Sequence, residues 1–231
     1  KGDLYRGSLL NFWCVRPGIN TDPENLWINR AAQSLAESLV LAASRILDIE
    51  FNEIRSGFRI RRTNSGVTFV DIYLFDSLTS GAGYSSSLEN RTKELFAETK
   101  QLLNSCPSSC ESACHDCLKN YWNQQVHDLL DRFAALQLID WCQKGEVAKD
   151  LPMPEQKKLL APLEELDTRW KIVEKSEQLF LKKDGEEKLI VVHPAMQQSK
   201  PRSKEEAIYV PDLYLRYALP LAERKIEEQW R

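Results

Sequence analysis

The sequence predicts a mixed α+β chain: a sheet with packed helices and a four-cysteine loop, followed by a smaller hairpin-and-helix extension. Three observations predict it. Apolar residues recur at helical spacing between Trp27 and Leu47, and β-branched and aromatic residues crowd two short runs on either side of residues 63–66. Four thiols fall between Cys106 and Cys117. A chain of 231 residues can bury a core without disulfide staples. A hydrophobic share of 42% and a charged share of 28% exclude a disordered composition. Apolar stretches such as Leu39 to Ala43 and Leu189 to Val192 fall far short of the roughly 20 residues a bilayer requires, so no membrane partner is expected.

Taken in order, an apolar run from Leu9 to Val15 reads as a strand, and a turn region with Pro17, Gly18 and Pro23 follows it. Ala31, Leu35, Leu39, Ala42 and Ile46 then form one helical stripe. Phe58 to Arg62 and Val67 to Phe75 flank Thr63-Asn64-Ser65-Gly66, the pattern of a hairpin whose second strand is central. Ser85 to Ser87 can cap a helix that continues to about Asn104. After the cysteines, Val126, Leu129, Leu130, Phe133, Leu136, Leu138 and Trp141 predict one apolar helix that ends near Gly145. Residues 145–170 carry three prolines and many charges, so the expected domains are 1–145 and 146–231. The second holds strands near Gln178–Lys182 and Glu187–His193 around Asp184-Gly185, then a helix from about Pro211 to Trp230.

The strongest chemical signal is CPSSCESACHDC, in which Cys106, Cys110, Cys114 and Cys117 are spaced x3, x3, x2. Four neighbouring thiolates can fill the tetrahedral shell of a structural zinc ion, leaving no ligand position open. Paired as disulfides they would close short, strained rings, in a chain whose first residues, with Asp3, Arg6 and Asn11, do not form an export signal. A cytoplasmic location is expected. An iron–sulfur cluster is the alternative, because Cys110-x3-Cys114-x2-Cys117 is also the spacing of radical-generating clusters. Zinc is favoured because the triplet follows a helix and has a fourth thiol beside it. His115 reads as an exposed loop residue, and Cys14 and Cys142 as small hydrophobes.

Other signals are weaker. Gly81-Ala82-Gly83 stands between a strand and a helix, but Ser86 occupies the third glycine position of a dinucleotide fingerprint. The turn can still offer amides at a helix start to a backbone phosphate, or simply let Tyr84 pack. Arg59 and Arg61 share one strand face, with Arg55 and Arg62 nearby, and that face can track phosphates or serve as a solvated surface. Arg59, Arg61, Arg62, Gly81 and Gly83 are therefore the candidate nucleic-acid contacts. The run around Lys200, Arg202 and Lys204 reads as a solvated loop, and Asp131-Arg132 as a structural ion pair. No Gly-Lys dipeptide occurs, so no Walker A loop is present and any ATP-driven motor lies elsewhere. Asp167, Glu186 and Lys188 imitate a metal-dependent nuclease pattern, although Glu186 falls at a turn.

Taken together, Asp76, Gly81-Ala82-Gly83-Tyr84, the four cysteines, Leu118, Tyr121, Asn123-Gln124, His127 and Leu130-Asp131-Arg132 resemble one known module, the MrfA-type zinc-binding domain. That family accompanies superfamily two helicase cores in bacteria and occurs in DrmB-type subunits of the DISARM anti-phage system. The resemblance spans roughly residues 1–145, with its specific part between 70 and 135. It departs at Ser80, where the family usually has another glycine. It implies that the four cysteines bind one Zn2+, that the domain acts with a helicase on DNA in defence or repair, and that the chain holds no hydrolytic site. A chain opening on Lys1, with methionines only at 153 and 196, is expected to be a piece of a longer protein.

Overall fold

A computed structural model describes residues 10–14, 19–20, 22, 25–62, 68–77, 82–197 and 207–230, with the backbone alone at 10–14, 62 and 68. The run at Lys200 to Lys204 lies outside the described residues, as do the 63–66 turn and Gly81. The chain divides into two compact units, Lys1–Pro17 with Ile28–Glu146, and Gly18–Trp27 with Val147–Arg231. The second unit thus draws a stretch from before residue 28 as well as everything after residue 146.

In the first unit, β1 (Leu10–Cys14), β2 (Ile54–Arg62) and β3 (Thr68–Asp76) form an antiparallel sheet in the order β1-β3-β2. The predicted central strand is central. Val70, Ile72 and Leu74 are buried on one of its faces, matching the two-residue period of a strand. Helix α1 (Leu26–Leu47) has Ala31, Ala32, Leu35, Ala36, Leu39 and Ala42 at 0–3% exposure. Ser38 and Ser44, buried among them, donate to the Leu35 and Leu41 carbonyls, so neither hydroxyl enters the core unsatisfied.

The helix expected from residue 85 to 104 is two helices, α2 (Tyr84–Glu89) and α3 (Thr92–Asn104). The break lies at Asn90-Arg91, where the Arg91 guanidinium bonds both Glu94 oxygens at 2.8 Å and the Ile46 carbonyl at 3.3 Å. The apolar run after the cysteines is also divided. A 3-10 segment spans Tyr121–Leu129, and α4 covers Arg132–Lys144. Between them Leu130 and Asp131 are extended, and the Asp131 carboxylate accepts from the Phe133 and Ala134 amides at 2.9 and 3.1 Å. Asp131 therefore caps a helix start, a role the expected ion pair with Arg132 did not include.

In the second unit, α5 (Met153–Leu166) fills the stretch whose prolines had read as a composition change. Pro154 sits in its first turn, where a missing amide costs little, and Pro162 removes one amide from its interior. Strands β4 (Lys171–Lys175), β5 (Gln178–Lys183), β6 (Glu186–His193) and β7 (Ile208–Pro211) follow in that order, the last pair parallel. The helix expected from 211 to 230 is α6 (Asp212–Tyr217) and α7 (Leu219–Trp230), separated at Ala218 just ahead of Pro220. Trp170, Leu181, Ile190, Val210 and Ile226 belong to this unit's own core. No described helix is long and apolar enough to cross a membrane.

Candidate metal centre

The cysteine loop connects the C-terminal end of α3 to the 3-10 segment. Sulfur–sulfur separations are 3.6 Å for Cys106–Cys110 and Cys106–Cys114, and 3.7 Å for Cys110–Cys117 and Cys114–Cys117. All four sulfurs lie within 4.8 Å of one another. A tetrahedron of thiolates at the usual Zn–S length of about 2.3 Å has edges of about 3.8 Å, so the four residues fit a single ion. A multi-iron cluster attaches its thiolates to separate iron atoms and spreads them beyond one ion's shell. The separations also exceed a disulfide bond of about 2.05 Å.

Local backbone holds this geometry. The Cys114 carbonyl accepts from the Cys117, Leu118 and Lys119 amides at 3.2, 3.1 and 2.9 Å, while the Cys114 amide donates to the Cys117 sulfur at 3.2 Å. Ser109 takes a positive φ of 47° as its amide turns back to the Cys106 carbonyl. As thiols, Cys106 and Cys117 are electrostatically unlike. The Cys110 amide helps hold Cys106 down to about 6, whereas burial pushes Cys117 up to about 12. A dication removes that conflict by favouring the thiolate at every position.

Arg132, which the sequence marks as half of a structural ion pair and as part of the resemblance, has a further role in supporting this loop. Its guanidinium reaches back 22 residues to the Cys110 carbonyl at 3.0 and 3.2 Å, and 29 residues to the Leu103 carbonyl at 2.9 Å. Leu103 lies in the last turn of α3, so one buried cation satisfies an end carbonyl of the helix and a carbonyl of the metal loop together. Asn123, 2% exposed, is a second junction. It donates to Leu118 at 2.9 Å and Glu37 at 3.1 Å, and its oxygen contacts the Asn120 amide and His127 Nε2, both at 2.9 Å. His115 is exposed and packs edge-on against His127, outside the four-thiol group.

The candidate nucleic-acid contacts have other engagements. Arg61 forms a bidentate pair with Asp71, its Nη2 at 2.8 Å from Oδ1, and Arg59 Nη2 stands 3.3 Å from the same carboxylate. Asp71 is 3% exposed, and the hydrogen bond from Arg61 holds its carboxyl below the usual range. Gly83 has φ 82°, a conformation that favours glycine, and caps α2. The amides of Gly83, Tyr84 and Ser85 and the Ser85 hydroxyl all donate to Asp76, at 2.6, 3.2, 2.8 and 2.8 Å. The amides expected to face a phosphate thus already face a carboxylate. Arg62 is described only in its backbone. In the nuclease-like set, Asp167 is bound by Arg169, and Lys188 donates to the Trp230 carbonyl at 2.6 Å.

Comparison with known proteins bears on this site. Residues 35–118, from within α1 through the fourth cysteine, match the MrfA Zn-binding domain family. The chain is 34% identical over 155 residues to the Druantia protein DruE of Escherichia coli (strain UMEA 4076-1), a match covering 62% of this chain and 8% of that protein. It is similar to a DUF1998 helicase MrfA bound to DNA, with a TM-score of 0.41, 18% identity, and coverage of 56% of this chain and 16% of the helicase. A second structure of that helicase, bound to DNA and AMPPNP, gives 0.38, 17%, 57% and 15%. The chain therefore spans a small part of each relative. The resemblance to the MrfA-type domain is present over residues 35–118, and the four cysteines constitute a site for one zinc ion.

Proposed function

We propose that this chain is a non-catalytic accessory module that braces or guides DNA beside an ATP-driven helicase core, in cytoplasmic anti-phage defence or, second, in DNA repair. The observation that carries the reading is the closed set of four mutually adjacent sulfurs. Such a site has no coordination position for water or substrate, which suits architecture and not hydrolysis. Zinc held by the cysteines would fix the path between α3 and α4, with Arg132 and Asn123 setting the loop against its neighbours. The DruE similarity supports the defence setting.

DNA contact is proposed at the hairpin, where Arg59 and Arg61 outnumber the single carboxylate that orients them. A second reading, a pure assembly subunit without DNA contact, draws support from the same fact, since Asp71 cancels part of that charge. Anisotropy titrations of the zinc-loaded chain with single-stranded and duplex DNA at rising salt separate the two. Affinity that falls with salt supports the DNA reading, and absence of binding at low salt favours a pure assembly role. Native mass spectrometry is expected to find one zinc per chain.

A further inference from the structure

Among the described aromatic side chains of the first unit, Trp122 is 53% exposed and its neighbour Tyr121 75%. Trp122 borders a cleft of about 310 Å³ whose lining also includes Phe51, Arg55, Asn52, Asn120 and Gln125. The cleft therefore combines aromatic rings with amide side chains able to donate and accept, and an exposed guanidinium from β2. A purely apolar partner would leave those amides unpaired at a cost, so the lining does not suit a hydrophobic helix. It suits a nucleobase, which has a π-face and a hydrogen-bonding edge and carries a phosphate beside it.

From this lining we infer that the cleft takes one unpaired base of a single-stranded nucleic acid, stacked on Trp122, with Arg55 on the adjoining phosphate. The inference rests on the DNA-guiding reading above and specifies the strand form. Duplex DNA keeps its base faces stacked inside and offers one to a side chain only by unpairing and unstacking it, a cost an already single strand does not carry. Trp122 is also held in place. Its amide donates to Asn120 Oδ1 at 2.8 Å in a capping box, and Tyr121 packs edge-on to it with centroids 5.3 Å apart. Glu37, also in the lining, is oriented by Asn123 and Gln33 at 3.1 Å each and supplies an acceptor for an exocyclic amine. The same Asn123 donates to the Leu118 carbonyl next to the last metal ligand, so the zinc loop steadies the stacking platform.

The test uses the zinc-loaded chain and a short oligothymidine carrying one 2-aminopurine, whose fluorescence is quenched when it stacks. Wild type is expected to bind the single strand more tightly than the duplex and to change the 2-aminopurine signal. Trp122→Ala should weaken single-strand binding about five- to a hundredfold and abolish that change, while Trp122→Phe retains most of both. Arg55→Gln should lower the salt slope by about one and leave the fluorescence change in place. Zinc content and circular dichroism, unchanged in each variant, separate these effects from unfolding. Salt-dependent binding that persists undiminished in Trp122→Ala, or a preference for duplex, overturns the base-stacking inference and leaves the DNA reading standing. Failure of wild type to bind either form overturns both.

Discussion

Asp71 and Asp76 occupy the same strand, β3, and both are held below the ordinary carboxylate range by different means. For Asp71 the first cause is the Arg61 hydrogen bond. For Asp76 burial pushes upward, and hydrogen bonds from Ser85, Gly83 and Tyr84 outweigh it. A carboxyl that is lower in the folded than in the unfolded chain binds fewer protons when folded. Its stabilisation is present at neutral pH and is lost as pH falls below about 4 through the folded value. Asp71→Asn is therefore expected to lower stability by about 1–3 kcal/mol at neutral pH. In urea titrations the gap between variant and wild type should narrow as the solution is acidified; a gap independent of pH would show that the charge of Asp71 is not what matters. The thiol spacing was legible at this scale because all four ligands lie close in sequence. The loop-supporting role of Arg132 was not, because that side chain's acceptors are backbone carbonyls 22 and 29 residues away that no side-chain pattern marks. Arg132→Met should destabilise by about 2 kcal/mol by leaving those carbonyls unpaired, and should speed zinc release to a chromogenic chelator. Arg132→Lys, lacking the planar fork, is expected to rescue only part of either effect.

Elements were legible where turn chemistry agreed with hydrophobic period. Asp184-Gly185 has φ values of 52° and 89°, a turn that its residue types announce, and β5 and β6 were expected around it. Ser176-Glu177 makes the equivalent turn between β4 and β5, with φ 47° and 62°, but neither residue favours that conformation, and β4 went unseen. Glu177→Gly is accordingly expected to raise the denaturant midpoint of the second unit by an amount equivalent to about 1 kcal/mol. The divided apolar run has the reverse lesson. Periodicity continued through Leu130-Asp131, yet an aspartate there gains two amide hydrogen bonds by ending one segment and starting the next. That cap was visible in the residue type, and the period concealed it. Helix α5 was hidden by its prolines, one of which occupies the first turn, where the helix tolerates it.

At the scale of the whole chain, each unit has its own buried set, and the metal loop belongs to one of them. Gly18–Trp27 belongs to the second unit for reasons that composition does not reveal. Asn25 is 4% exposed, donates to the Ala195 carbonyl at 2.9 Å, and accepts from the Trp27 amide at 2.7 Å. Ile19 forms a bridge with Gln197, and Leu26 packs on the second unit's core. Two perturbations should therefore act on different amides. Stripping zinc removes the ion from the first unit alone, so chelation is expected to abolish hydrogen-exchange protection of the Leu118 and Lys119 amides, which donate to the Cys114 carbonyl. Protection of the β5 and β6 amides should persist. Asn25→Ala leaves a buried carbonyl without its donor, at a cost of about 1–3 kcal/mol, and should raise exchange in β5 and β6 while zinc stoichiometry stays at one per chain. If chelation instead released protection uniformly through Trp170 and Ile190, the metal would be sustaining both cores, and the stability of each unit could not be assigned to the residues buried within it.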